Sequence, residues 1–390
     1  MSNTKLRTSV ELFAGAGGLG IGLSQAGFEP REVVEFNRWC CDTLRQNHST
    51  LSKLDGSWLI HEGDVRKVNF QHLEGKVDLV SGGPPCQPFS LGGKHRAYND
   101  HRDMFSEAVR AVREIKPKAF VFENVKGLLR ASFAAYREYI ELQMQHPEVV
   151  AADGEDWADH RARLEQHHSS GNRDGLNYNV VVQLLNSADY GVPQKRERVV
   201  FVGFRSDAGI SWSFPRATCT QEALVWDQVF GSYWDRHAVR KADQRLDGRA
   251  ALIAKRLSRD EKPADAAWKT VRDAFVGLSD PEKKPSRDMN HIFQDGAKAY
   301  PGHTGSYIDD PAKTLKAGVH GVPGGENMVR RADGSVRYFT VRESARLQTF
   351  PDNYRFHGAW TECMRQLGNA VPVELARQVG VSVAEHLKAA

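Results

Sequence analysis

Apolar, β-branched runs alternate with helix-forming stretches along the first two hundred residues, the pattern of a parallel sheet covered by helices. Six runs read as strands: Ser9 to Phe13, Glu32 to Glu35, Val77 to Ser81, Ala119 to Glu123, Asn179 to Leu184 and Arg198 to Phe204. Helices fit between them at Gly18 to Gln25, at Cys40 to Gln46, and at Met104 to Ile115, where Pro117 forbids continuation. The expected fold class is α/β, with a mostly parallel, doubly wound sheet.

Beyond Phe204 the alternation fades into a stretch rich in charge, glycine, proline and aromatic residues, and it returns near residue 338. "TVRESARLQTF" (340–350) and "VPVELARQVGVSVAEHL" (371–387) are amphipathic, the second with Pro372 near its start. The expected division is therefore 1–205, 206–337 and 338–390, the last part returning to the first. Within the first part, about 131–178 reads as a surface insertion, helical at first and then polar and loop-like. Its His160, His167 and His168 read as solvated imidazoles rather than metal ligands.

Composition narrows the class. The chain has 390 residues, 40% hydrophobic and 26% charged, enough for a large core and a second domain. A net charge of +4 permits a polyanionic partner without establishing one. No apolar run reaches membrane-span length, and the start, MSNTKLRTSVELF, lacks the features of a signal peptide, so a cytoplasmic protein with no membrane partner is expected. Five cysteines, odd in number and never spaced C-x-x-C, favour neither a disulfide framework nor a zinc site. Cys40, Cys41, Cys219 and Cys363 are expected as free thiols, and no metal is expected.

The fifth, Cys86, stands apart. In "GGPPCQPFS" (82–90) it follows a strand, and Pro84, Pro85 and Pro88 stiffen its loop, so it lies just past the carboxyl end of a strand, where open α/β sheets place ligands. A thiol held there is a candidate nucleophile. "ELFAGAGGLG" (11–20) carries Gly15-x-Gly17-x-x-Gly20 at a strand-to-helix turn, and Glu35 stands twenty positions after Gly15 to accept ribose hydroxyls. That pair fits an adenosine-containing cofactor and would equally suit NAD. Asp64 is either an adenine ligand or a turn aspartate. "AFVFENVKG" (119–127) puts Glu123 and Asn124 at a strand end, and "VPQKRERVVFVG" (192–203) puts Gln194, Arg196 and Arg198 on one face of an extended segment.

Taken together and in this order, FAGAGG, GGPPCQPFS, ENV, QKRER, RESARLQTFP and GNAVPV resemble the motifs of DNA (cytosine-5) methyltransferases of the bacterial restriction-modification type. The resemblance covers most of the chain. It implies a Rossmann-like S-adenosylmethionine-dependent methyltransferase fold with a smaller, irregular target recognition domain at about 206–337. It also implies sequence-specific methylation at C5 of cytosine in double-stranded DNA, through base flipping and a covalent Cys86–C6 adduct. Glu123 would hold N3 and the exocyclic amine, Arg196 would contact the base O2, and Arg198 would order the site. S-adenosylmethionine, leaving as S-adenosylhomocysteine, would be held by Phe13, Ala14, Gly15, Gly17, Gly18, Leu19, Glu35, Phe36, Asp64, Val65, Pro85, Met104, Asn369 and Val371. Met104 stands where the family often has leucine, and Ala370 where serine is commoner. Gln87, Ser90, Gln194, Thr314 and Leu315 would face DNA. A monomer, cytoplasmic and nucleoid-associated, is expected, and the resemblance is compatible with a cognate restriction endonuclease acting on the same site without a stable complex.

Three other readings account for parts of the sequence. A tRNA cytosine-5 methyltransferase shares the PPCQPF loop, though the long region 206–337 argues for DNA. An NAD-dependent oxidoreductase explains the glycines and Glu35 but not the other motifs. A catalytically silent DNA-binding relative would have no need of Cys86, Glu123 and Arg196 together.

Overall fold

Strands that are apolar at successive positions need cover on both faces, and the main sheet has it. The computed structural model describes residues 7–48, 58–85, 104–171, 174–246, 248–284, 286, 289–318 and 327–389. Seven strands build the sheet: β1 (Arg7–Leu12), β2 (Phe28–Glu35), β3 (Leu59–Glu62), β4 (Leu79–Gly82), β5 (Ala119–Val125), β6 (Tyr178–Asn186) and β7 (Glu197–Arg205). Their order is β3-β2-β1-β4-β5-β7-β6. The first five pair in parallel, while β7 runs antiparallel to both β5 and β6.

The helices of this part are α1 (Gly18–Gln25), α2 (Arg38–Gln46), α3 (Phe105–Ile115), α4 (Ala134–Gln145) and α5 (Trp157–Ser169). Four more follow Arg205: α6 (Gln221–Val229), α7 (Tyr233–Arg236), α8 (Gly248–Ala254) and α9 (Val271–Phe275). The last three are α10 (Val341–Leu347), α11 (Trp360–Asn369) and α12 (Val373–Ala389).

One face of the sheet, with Val10, Leu12, Val80, Phe120 and Phe122, packs on α3 and α4 through Phe105, Val109, Val112, Tyr136 and Ile140. The other, with Leu79, Val121, Val200, Val202 and Phe204, packs on α1 and α12 through Leu19, Leu23, Leu375, Val379 and Val383. Each fully buried large side chain contributes roughly 1.5–3 kcal/mol. The chain's end thus covers the sheet that its beginning opened. A third cluster joins Ile21, Val33 and Leu44 to Ala345, Phe350, Tyr354 and Leu367, which seats α10 and α11 beside the first helices.

Past Arg205 the strands are short: β8 (Cys219–Thr220) pairs with β9 (Ala266–Ala267), and β10 (Ser306–Tyr307), β11 (Met328–Arg330) and β12 (Val336–Tyr338) form a three-stranded sheet. Val271, Ala312, Leu315, Val329, Phe339 and Leu347 form their main core.

Two expectations fail here for physical reasons. The end of the insertion is a helix, α5, capped by Asp156 Oδ1 accepting from the Ala158 and Asp159 amides at 2.7 and 3.0 Å. Its only buried side chains are His160 and Leu164, too few for a visible stripe. His160 is therefore not solvated: its Nε2 donates to Val149 O and its Nδ1 accepts from Tyr139 Oη, both at 2.8 Å, and burial lowers its pKa. His168 Nδ1 lies 2.9 Å from His146 Nε2. Among the described residues no group of His, Cys, Asp or Glu is arranged to hold a metal.

Candidate active site

Parallel strands send all their carboxyl ends to one edge, and β1, β2, β4 and β5 deliver Phe13, Glu35, Gly83 and Glu123 there. Because β7 is antiparallel, its amino end arrives at the same edge and brings Arg198. Glu123 lies opposite Val200 and Val125 opposite Arg198, so Glu123 and Arg198 are diagonal neighbours on one face. Arg198 Nε stands 2.5 Å from Glu123 Oε1, with both side chains nearly buried. The approach is ionic rather than well aligned, for Glu123 Oε1 has no hydrogen-bond partner among the described residues.

Cys86, Gln87 and Ser90 lie outside the described residues. The backbone leading to Cys86 is described as far as Pro85, and two contacts place it beside Glu123. Asn124 Nδ2 donates to Pro84 O at 3.1 Å. A methyl group added at Gly83 would stand 3.3 Å from Glu123 Oε2. Ser81 Oγ, at the end of β4, is also buried without a partner among the described residues. Buried polar atoms left open in this way are uncommon and costly unless something else satisfies them. A planar group with an N–H edge would satisfy the carboxylate.

The two arginines stand in different surroundings. Arg196 is fully buried and its fork is spent on main chain: Nη1 donates to Leu315 O at 3.2 Å and Nη2 to Gly368 O at 2.8 Å. Burial pushes its pKa well down, with the Arg198 cation adding to the effect and the Glu123 anion opposing it. Arg198, not Arg196, is the cation that meets Glu123. Which of the two does so depends on strand register, and alternation alone puts both on the same face.

Of the residues expected to face DNA, Gln194, Thr314 and Leu315 make contacts within the protein. Gln194 is fully buried, with Oε1 accepting from Leu315 N at 2.9 Å and Nε2 donating to Leu347 O at 3.3 Å. Thr314 Oγ1 donates to Lys195 O at 2.8 Å, and Leu315 is in the core.

At the other end of the edge, Phe13, Gly15 and Gly17 take positive φ values of 55, 56 and 79°, turning the chain tightly into α1. Glu35 accepts from Gly15 N at 2.7 Å through Oε2 and from Asn37 N at 2.6 Å through Oε1. Burial raises its pKa, and these amide donors pull it partly back. Next to it Phe36 is 77% exposed, presenting an aromatic face to solvent. Asp64 caps the turn at Val65–Lys67 and pairs with Arg66, which lowers its pKa to about 2. The turn-aspartate reading thus describes its present bonds.

Val65, Ala14, Leu19 and Val371 have buried side chains, so at these positions the main chain is what can meet a ligand. Met104 packs on the core beside α3, while Pro85 and Asn369 are exposed. Val371 O presses against the glycine loop, 2.3 Å from where a methyl on Gly18 would sit.

Of the buried acids that the sequence did not announce, Glu11 lies beneath the glycine turn. Glu11 accepts from Gly20 N at 2.9 Å, and burial raises its pKa to about 8. An ionisable residue inside the apolar run SVELF was the available signal.

The chain matches the family model described as C-5 cytosine-specific DNA methylase over residues 7–145 and 159–385. It is 32% identical over 385 residues to the Type II methyltransferase M.PspPI of a Psychrobacter strain, covering 98% of this chain and 80% of that one. It is 31% identical over 382 residues to the Type II methyltransferase M.NgoMIV of Neisseria gonorrhoeae, covering 98% of each. Its fold resembles the crystal structure of the Schizosaccharomyces pombe Dnmt2 methyltransferase at a TM-score of 0.55 and 16% identity, covering 98% of this chain and 99% of that one.

Proposed function

The chain belongs to the C-5 cytosine-specific DNA methylase family and is a DNA cytosine-5 methyltransferase related to Type II modification enzymes; from that premise we propose how its own residues carry the reaction and hold its methyl donor. Cys86, as thiolate, adds to C6 of a cytosine turned out of the duplex, forming an S–C6 bond and making C5 nucleophilic. S-adenosylmethionine, when bound, supplies an electrophilic methyl group to C5. Loss of the C5 proton to a base then expels the Cys86 thiolate and leaves 5-methylcytosine.

Glu123 holds the N3 and exocyclic-amine edge of the base, and Arg198, its cationic neighbour, takes the position facing O2 that the resemblance had given to Arg196. The observation carrying this assignment is the Glu123–Arg198 pair beside the loop that enters Cys86, its carboxylate oxygen Oε1 without a hydrogen-bond donor among the described residues. Asn124 sets the loop's entry by holding Pro84 O. Turning the base out costs a few kcal/mol, which contacts elsewhere on the DNA must supply.

The cofactor region fits an adenosine-bearing donor. Glu35 has lone pairs left for ribose hydroxyls, and Phe36 offers an uncovered face for adenine. Main-chain groups at Gly15, Gly17 and Gly18 reach the methionine portion, with Asn369 and Val371 closing the far side. The protein would act as a monomer, with any cognate endonuclease reading the same site independently. No described helix is long and apolar enough to cross a membrane.

Transfer of labelled methyl groups to duplex DNA and to tRNA tests this assignment. Labelling of DNA by the wild type, and its loss in Cys86→Ala with DNA still bound, is expected. Exclusive tRNA labelling would overturn the substrate, and turnover by Cys86→Ala would overturn the mechanism. Bisulfite sequencing of the labelled DNA then locates the methylated cytosine.

A further inference from the structure

Arg196 makes an unusual use of a buried cation. Among the described residues its guanidinium has no carboxylate in hydrogen bond with it, only two carbonyls from segments far apart in sequence, Leu315 and Gly368. Its Nε is buried without a partner among the described residues. Such a group is tolerated only where both acceptors stay in place, since moving either one strands a charge in the interior.

The two segments it joins are also fastened by other means. Gln194 bonds Leu315 N and Leu347 O. Thr314 bonds Lys195 O, and Lys195 N donates to Ala312 O at 2.8 Å. Asn327 and Lys316 bond each other twice, at 3.0 and 2.9 Å. Gln348 reaches Leu367 O at 2.6 Å, beside Gly368. Gly368 has to be glycine: a methyl group there would lie 2.3 Å from Ala317 N. The strip Ala312–Ala317 is thereby pressed onto the end of α11, one residue before Asn369.

We propose that Arg196 is a positioning residue, not a catalytic one: it locks the strip Ala312–Ala317, in the part of the chain expected to recognise DNA, to the turn bearing Asn369 and Val371. The inference rests on the cofactor role given above to Asn369 and Val371. Cofactor that orders this turn also orders the strip, so cofactor and DNA strengthen each other's binding, and by linkage the effect is reciprocal. A lysine cannot replace the arginine, because a single ammonium on a flexible stem does not bridge two separate carbonyls as a planar fork does.

The test is the affinity of S-adenosylhomocysteine for the full-length protein, measured by calorimetry without and with a duplex carrying the sequence found methylated. Wild-type affinity should tighten about tenfold with the duplex, within the usual range of allosteric coupling. In Arg196→Lys the gain should fall below about threefold, with affinity in the absence of DNA little changed. If that variant does not fold, Gly368→Ala disturbs the same joint from the other side and should likewise lose the gain. Wild-type protein without mutual strengthening, or a folded variant that keeps it, would overturn the lock. A slowed turnover at saturating DNA and cofactor, with the coupling intact, would overturn it too and return Arg196 to the chemistry. Failure of wild-type protein to methylate any duplex is a different result, read in the transfer assay, and would overturn the proposed function instead.

Discussion

Arg198 on β7 and Glu123 on β5 form a nearly buried pair, 2.5 Å apart, that exists only because β7 runs antiparallel into a sheet of parallel neighbours. A parallel β7 would carry Arg198 to the opposite edge. Glu123→Gln keeps the shape and removes the charge, so single-turnover methyl transfer should slow by roughly 10²- to 10⁴-fold, the usual weight of a positioned acid or base. Cofactor affinity should stay within about threefold. Adding Arg198→Ala to that variant should cost far less than Arg198→Ala costs the wild type, because paired groups are not additive. Fully additive losses would mean that the two act separately.

The Asn124 side chain offers a milder test. Asn124→Ala removes the donor to Pro84 O and frees the loop two residues before Cys86. A lost buried hydrogen bond is worth about 0.5–1.5 kcal/mol. The turnover rate should drop several-fold while S-adenosylhomocysteine binding is unaffected. An unchanged rate would remove Asn124 from the positioning of the loop.

Phe36 separates function from stability. At 77% exposure its removal should change unfolding free energy by no more than about 0.5 kcal/mol. Stacking on a base is worth about 1–3 kcal/mol, so Phe36→Ala should weaken cofactor binding about fivefold or more. Calorimetry and urea denaturation on the same preparation decide it. A variant that binds cofactor normally would show that adenine lies elsewhere.

Much of this was readable along the chain, and the exceptions share a cause. The strands flanking Gly82 and Glu123 announce themselves because burial on both faces makes them continuously apolar, and α1 announces itself by the glycine turn before it. Helix α5 hides because its buried stripe is only His160 and Leu164. Helix α11 hides because Cys363, Met364 and Leu367 form a short stripe bounded by polar residues. At the site, Glu123 and the Cys86 loop are local motifs, visible without a fold. That Arg198 rather than Arg196 stands beside Glu123, and that Gln194 and Leu315 are buried, depends on register and on contacts 119 to 172 residues away. No local pattern encodes those.

Glu11 gives the pH dependence. Burial, partly offset by the Gly20 amide and reinforced by the nearby Glu35 charge, raises its pKa from 4.5 to about 8. Below 4.5 the carboxyl is protonated both folded and unfolded; between 4.5 and about 8 only the folded state keeps the proton. The folded state therefore binds more protons across this window, and stability must fall as pH rises through it, by up to about 1.4 kcal/mol per pH unit for one group. Glu11→Gln keeps an oxygen for the Gly20 amide but cannot ionise. Its stability should decline less than that of the wild type between pH 5 and pH 8, so the variant should gain on the wild type as pH rises. Urea denaturation of both proteins at these two values measures the difference. Equal declines would show that Glu11 ionises at its ordinary pKa, with the floor of the glycine loop open to water.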